Sequence, residues 1–151
     1  MSSPEPYLRY KRSRFSTRLH RGRRYTASHQ WLWEREPGVW CVGYTKFALR
    51  MLGDPVEFEF EVKAGARVGE GEVVGWVEGF KAVTDVFAPL AGEFAGSNPE
   101  LDGDITLLVS APYERGWLFA VRGEPGAGAL DADGYSQFLD ATIDRMTGTS
   151  A

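Results

Sequence analysis

Glu72-Val73-Val74-Gly75-Trp76-Val77-Glu78-Gly79-Phe80-Lys81-Ala82-Val83-Thr84-Asp85-Val86-Phe87-Ala88-Pro89 holds most of what this chain says about itself. A strand-like run from Glu72 to Glu78 is followed by a second from Ala82 to Ala88. Two runs rich in Val, Trp, Thr and Phe, joined by a short glycine-bearing connection, predict a β-hairpin. Gly79 is expected to take the positive φ that a tight turn often needs. Pro89 closes the second run, because proline donates nothing to a sheet ladder. Lys81 then stands at the tip, exposed, with no acidic side chain within one residue on either side. A tip lysine is ordinarily solvated surface and nothing more. The same position also suits an amine that another enzyme must reach and acylate.

Outward from this hairpin the pattern stays β-rich. His29 to Glu36 and Val39 to Tyr44 flank Pro37-Gly38 and predict another hairpin. Thr45 is placed to cap a short helix that Gly53 ends, with Phe47, Ala48, Met51 and Leu52 at helical spacing for packing on the sheet. Val56, Phe58, Phe60 and Val62 alternate with Glu57, Glu59 and Glu61, as in a half-buried strand with one carboxylate face. That face reads as solvated surface, with docking of a basic partner as the sharper alternative. Thr106 to Ser110 and Trp117 to Arg122 are read as further strands. Residues 123–129 read as a flexible linker, after which Asp131 or Asp133 caps a last helix with Tyr135, Phe138, Leu139, Ile143 and Met146 on one face.

Composition bounds the function. A chain of 151 residues with 43% hydrophobic and 13% aromatic side chains forms one folded domain. Cys41 is the only cysteine, so no internal disulfide can form, and it reads as a small buried hydrophobe. One cysteine and two distant histidines argue against a metal site, and a nucleophilic Cys41–His29 pair is a remote alternative. No apolar run is long enough to span a bilayer and no secretory signal precedes the domain. Charge is uneven: residues 1–24 carry eight Arg or Lys and one acid, whereas residues 25–151 carry nine basic and twenty acidic side chains. The acidic body argues against nucleic-acid binding, in which phosphate contacts supply most of the affinity. Leu8, Phe15 and Leu19 give residues 1–24 only a thin apolar pattern, and the segment reads as an extended basic arm lying on the acidic body. Its arginine content also fits an organelle transit peptide, which would place the protein in a mitochondrial matrix and not the cytoplasm.

Glu78 to Pro89 resembles the lipoyl-attachment segment of the glycine cleavage system H proteins, and Ala91-Gly92-Glu93 continues the likeness. Tyr25-Thr26-Ala27-Ser28-His29-Gln30-Trp31 is similar to the family's opening motif. Val42-Gly43-Tyr44-Thr45-Lys46-Phe47-Ala48 and Leu52-Gly53-Asp54 follow in register. Asn98 to Leu101, Pro112-Tyr113 and Gly116-Trp117 fall at its late positions. The likeness runs over about residues 25–146. Gly79 and Phe80 stand where the family usually has Ser and Val, and Val109, Ala111 and Glu114 also depart from its pattern. These departures suggest a divergent bacterial H-like branch.

The resemblance implies a mainly β protein with the flattened two-sheet barrel-sandwich fold of lipoyl and biotinyl carriers, a short early helix and a C-terminal helix. It implies a lipoyl-carrier domain over residues 25–146, after the basic arm of residues 1–24, with residues 147–151 as a disordered tail. The cofactor would be lipoate in amide linkage to Lys81, with Glu78 and Asp85 orienting the lipoate-attaching enzyme. The carrier would not be an enzyme by itself. It would pass an aminomethyl group between glycine decarboxylase and aminomethyltransferase, and dihydrolipoyl dehydrogenase would reoxidise it. It is expected to be a cytoplasmic monomer that binds neither nucleic acid nor membrane. The alternatives are a lipoyl relay or scaffold outside glycine cleavage, a non-carrier interaction protein, and a biotinyl carrier. Biotin is disfavoured because Phe80 and Ala82, not methionines, flank Lys81.

Overall fold

The computed structural model describes residues 5–148. An antiparallel six-stranded sheet runs from edge to edge as β3 (Arg24–Tyr25), β4 (Gln30–Glu36), β5 (Val39–Tyr44), β11 (Phe119–Gly123), β10 (Gly92–Ser97) and β7 (Arg67–Val68). A three-stranded sheet places β8 (Val73–Gly79) between β6 (Pro55–Phe60) and β9 (Val83–Phe87). A separate hairpin pairs β1 (Tyr7–Arg12) with β2 (Phe15–His20). The helices are α1 (Lys46–Leu52), the one-turn α2 (Glu100–Gly103) and α3 (Leu107–Ser110), and α4 (Ala132–Thr147).

The inward residues of both sheets make one core. Leu32 and Val42 come from the large sheet, Val77 and Val86 from the small one, and all are 1% exposed or less. Phe60 bridges the sheets, its ring centroid 5.2 Å from Phe94 and 5.4 Å from Phe119. This is the flattened two-sheet, mainly β arrangement that the family resemblance implies. The local signals of the sequence hold where the chemistry is local. Gly38, with φ of 77°, turns β4 into β5. Thr45 caps α1, its hydroxyl accepting from the Ala48 amide, and Gly53 ends the helix with φ of 80°. Asp131 caps α4 by accepting from the Gly134 amide at 2.7 Å.

Several expectations are corrected. Thr106 to Ser110 is not a strand: Leu107–Ser110 is a helical turn, started by Asp104 Oδ1 accepting from the Thr106 amide at 3.0 Å. Short apolar runs do not distinguish strand from helix by period. Met51 is exposed, and Leu49 takes its place on the buried face of α1 beside Phe47 and Leu52. A bulge between Pro55 and Glu57 breaks the alternation of β6 at its start and leaves Val56 exposed. Met146 is exposed at the end of α4. Thr147 is the last helical residue and Gly148 its left-handed cap, while the rest of the expected tail lies outside the described residues.

The largest correction concerns residues 1–24. The segment is basic, but Tyr7–His20 is a folded hairpin and not an extended arm. Tyr10, Phe15 and Leu19 are buried in a second core with Phe47, Tyr135, Leu139 and Ile143. Phe15 meets the Phe47 ring edge-on at 5.5 Å. Tyr10 donates its hydroxyl to Asp140 of α4 at 2.8 Å, and Arg12 grips Asp144 with two hydrogen bonds at 2.7 and 2.8 Å. Burial and Asp140 both push the Tyr10 phenol up. The hairpin therefore docks on α4 and α1 through one face, and its arginines serve partly as anchors.

Candidate functional site

The Lys81 turn is built from three pieces of chain. β8 and β9 pair through Glu78↔Val83, Val77↔Thr84 and Trp76↔Asp85, and the Gly79 amide donates to the Ala82 carbonyl at 2.8 Å. Phe80, Lys81 and Ala82 form the tip. The end of α1 holds that tip from below. The Lys81 amide donates to the Leu52 carbonyl at 2.9 Å, and the Phe80 amide donates to the Asp54 carbonyl at 3.0 Å. These contacts explain the glycines better than turn geometry does. Gly79 does not have the positive φ expected of it. A Cβ on Gly79 would lie 2.3 Å from the Leu52 carbonyl oxygen, so a glycine is required there for close approach. A Cβ on Gly53 would lie 2.8 Å from the Lys81 amide nitrogen and 2.9 Å from its Cγ.

The Lys81 backbone is thus pinned while its side chain is exposed. Its Nζ donates to the Arg50 carbonyl of α1 at 3.1 Å. One exposed hydrogen bond is a weak restraint, and an amide formed at Nζ keeps a single N–H donor. A long acyl arm therefore fits here: the attachment atom is accessible, the glycine at 53 gives the root of the side chain its room, and the glycine at 79 lets the turn approach Leu52.

Glu78 and Asp85 are brought together on one sheet face. Cross-strand partners share a face, so Glu78, Val83, Trp76 and Asp85 point the same way. Glu57 and Glu59, opposite Glu78 and Trp76 on β6, join them. The result is an acidic face beside the Lys81 tip. The negative charge of Asp85 also reaches the buried Tyr44 phenol, whose ionisation is pushed up mainly by burial. Phe80 and Val83, 82% and 66% exposed, flank the lysine with bare apolar surface.

A cleft of about 1130 Å³ opens on another side of the tip. Lys81 and Phe80 form one lip, α1 contributes Lys46 and Arg50, and Ala111 to Glu114 contribute a further wall. The remaining wall is the β1–β2 hairpin, through Arg9, Lys11 and Arg18. None of Glu57, Glu59, Glu78 or Asp85 lines it.

Sequence reasoning missed two supports of this site. Gln30 is 2% exposed and donates from Nε2 to the Phe87 carbonyl at 2.8 Å, tying the end of β9 to the large sheet. The Arg50 carbonyl, which holds Nζ, carries no side-chain signal at all. The alternative Cys41–His29 pair is not assembled. His29 Nδ1 is hydrogen-bonded to the Tyr135 hydroxyl at 2.8 Å, and burial lowers its pKa to about 4. Burial pushes the Cys41 thiol up. Among the described residues, no group of three or more His, Cys, Asp or Glu side chains is arranged to hold a metal, and no helix is long and apolar enough to cross a membrane.

The family model described as Glycine cleavage H-protein matches residues 23–132. The glycine cleavage system H protein of Edwardsiella ictaluri is 39% identical over 120 residues, covering 78% of this chain and 93% of its own. That of Micrococcus luteus is 43% identical over 119 residues, covering 76% of this chain and 92% of its own. The crystal structure of a glycine cleavage system H protein from Mycobacterium marinum superposes with a TM-score of 0.72 at 31% identity, over 81% of this chain and 99% of that one. Sequence and fold agree, and the chain belongs to the glycine cleavage H-protein family.

Proposed function

We propose that Lys81 carries lipoate in amide linkage and that this arm is the working part of a glycine cleavage carrier. The observation that carries the reading is the contrast at one residue: the Lys81 amide is pinned to Leu52 while its side chain stays exposed. A carrier needs that contrast, because the cofactor does the chemistry and the protein sets where its arm is rooted. The bound group supplies a disulfide that accepts the aminomethyl fragment of glycine. The chain's own task is to present Nζ, and Glu78 and Asp85 on the neighbouring face orient the lipoate-attaching enzyme. Its partners are then glycine decarboxylase, aminomethyltransferase and dihydrolipoyl dehydrogenase, and it works in the cytoplasm, as a carrier and not as an enzyme.

Intact mass of protein expressed in lipoate-replete cells tests the attachment. The wild-type chain is expected to gain one lipoyl group, and Lys81→Arg none. A lipoyl adduct persisting on Lys81→Arg refutes the assignment. Reconstitution with the three partner enzymes, followed by glycine-dependent release of carbon dioxide, tests the role. A fully lipoylated sample that supports no turnover, where a standard H protein does, would leave a lipoyl relay as the function.

A further inference from the structure

The family match begins at residue 23, so the β1–β2 hairpin lies outside it, yet this hairpin walls the cleft at the root of Lys81. Its register puts Tyr7, Arg9, Lys11, Ser16, Arg18 and His20 on one face, with Tyr10, Phe15 and Leu19 on the face that is buried. Arg9, Lys11 and Arg18 therefore turn to the cleft, where α1 adds Lys46 and Arg50. Once Lys81 is acylated its own charge is gone. Five cationic side chains then face two carboxylates, Asp54 and Glu114.

Four of those five cations have no ion pair among the described residues. Lys46 Nζ donates to the Ser16 carbonyl at 2.8 Å, and Arg50 donates to the Arg14 carbonyl at 3.4 Å. Arg18 lies over the Tyr7 ring at 4.6 Å. Among the described residues, Arg9 alone of the five has an ion pair, with Glu5 at 3.8 Å and both side chains exposed. The tyrosines facing the cleft add little negative charge. Tyr10 donates to Asp140 and Tyr113 donates to the Arg18 carbonyl, and burial pushes both phenols up.

We propose that Arg9, Lys11 and Arg18 of the hairpin tune the sulfur chemistry of the arm on Lys81, stabilising the thiolate of its reduced, dihydrolipoyl form. This rests on the lipoyl reading of Lys81. Thiolate, not thiol, is the nucleophile in disulfide exchange, and nearby cations lower a thiol's pKa. A group joined to Nζ starts at the lip of the cleft that all five cations line. The hairpin thereby favours a sulfur that is deprotonated at lower pH than in free dihydrolipoamide.

The test uses full-length protein loaded with lipoic acid by a lipoate-attaching enzyme and ATP, then reduced with a phosphine. Intact mass first confirms the adduct. Absence of the adduct defeats the lipoyl reading, whereas the role of the hairpin is decided by alkylation of the loaded protein. The rate of iodoacetamide alkylation at the Lys81 peptide is measured by mass spectrometry from about pH 6 to pH 10, a range that spans ordinary thiol ionisation. Free dihydrolipoamide is the reference. The expected result is a thiol pKa lower by about half a unit, roughly threefold more thiolate at a fixed pH below it. The shift should shrink in high salt and vanish in the triple variant Arg9→Gln, Lys11→Gln, Arg18→Gln. A wild-type pKa equal to that of free dihydrolipoamide overturns the proposal, as does a shift that the triple variant retains. Should the triple variant fail to fold, the salt series on wild-type protein decides, a salt-insensitive shift counting against the proposal.

Discussion

Gly79→Ala is the sharpest test of how the lysine is presented. The added Cβ would stand 2.3 Å from the Leu52 carbonyl oxygen and 2.7 Å from its Cγ. The Leu52 side chain can rotate, but the carbonyl is backbone and also accepts from the Lys81 amide. The turn and the end of α1 must then separate. Separation weakens two hydrogen bonds, Lys81 to Leu52 and Phe80 to Asp54, worth about 1 kcal/mol each. Overpacking adds about 1–3 kcal/mol, so a loss of roughly 3 kcal/mol is expected. For a domain of this size that is a fall in Tm of about 6–12 °C. Thermal unfolding followed by circular dichroism measures it, and amide exchange at Lys81 should speed up in the same variant. Gly69→Ala is the control, because nothing lies within 4 Å of its added Cβ. If Gly79→Ala melts together with that control, close approach is not what fixes the tip.

Phe15→Ala removes a ring that is 5% exposed and edge-on to Phe47, and should cost about 3 kcal/mol in urea unfolding. An effect below about 0.5 kcal/mol, the level of an ordinary surface change, would mean that the hairpin merely rests on the body. Acid should destabilise the fold through His29. Its pKa is 6.5 when unconstrained and about 4 in the fold, so the unfolded chain binds the extra proton first. Stability attributable to this residue is complete above pH 6.5 and falls as pH drops toward 4, by about 2 kcal/mol once partial solvation is allowed for. Unfolding free energy measured across this range for wild type and His29→Asn checks it: the variant should show the shallower slope, and parallel curves would count against His29.

Local chemistry was legible in the sequence and distant packing was not. The Lys81 hairpin, the Thr45 cap and the Asp131 cap depend on residues close in the chain. Gly79 was recognised as special for the wrong reason, since Leu52 is what it must avoid and no turn pattern reveals that neighbour. The β1–β2 hairpin did leave a trace: Phe15, Thr17 and Leu19 alternate, as do Leu8, Tyr10 and Arg12. Eight positive charges in residues 1–24, five of them in the hairpin itself, hid it, and its anchors, Asp140 and Asp144, lie about 130 residues away. The charge reading also changes meaning in the fold. Arg12 is an anchor for α4, whereas Arg9, Lys11 and Arg18 belong to the Lys81 cleft.

The hairpin and α4 are best understood as a pair. The family match ends at residue 132, where α4 begins, and starts at residue 23, just after β2. The hairpin therefore lies outside the matched family model, and it and α4 hold each other through Tyr10–Asp140 and Arg12–Asp144. A two-stranded ribbon is marginal by itself, so it needs such a partner. Here α4 supplies the surface, and is itself fixed to the carrier domain by Tyr135, whose hydroxyl meets both Thr45 and His29 at 2.8 Å. Thr45 also caps α1, and the end of α1 holds the Lys81 amide. One continuous set of contacts thus runs from the hairpin through α4 and α1 to the turn. The hairpin places charge at the cleft, and the end of α1 keeps the Lys81 backbone at the lip of that cleft.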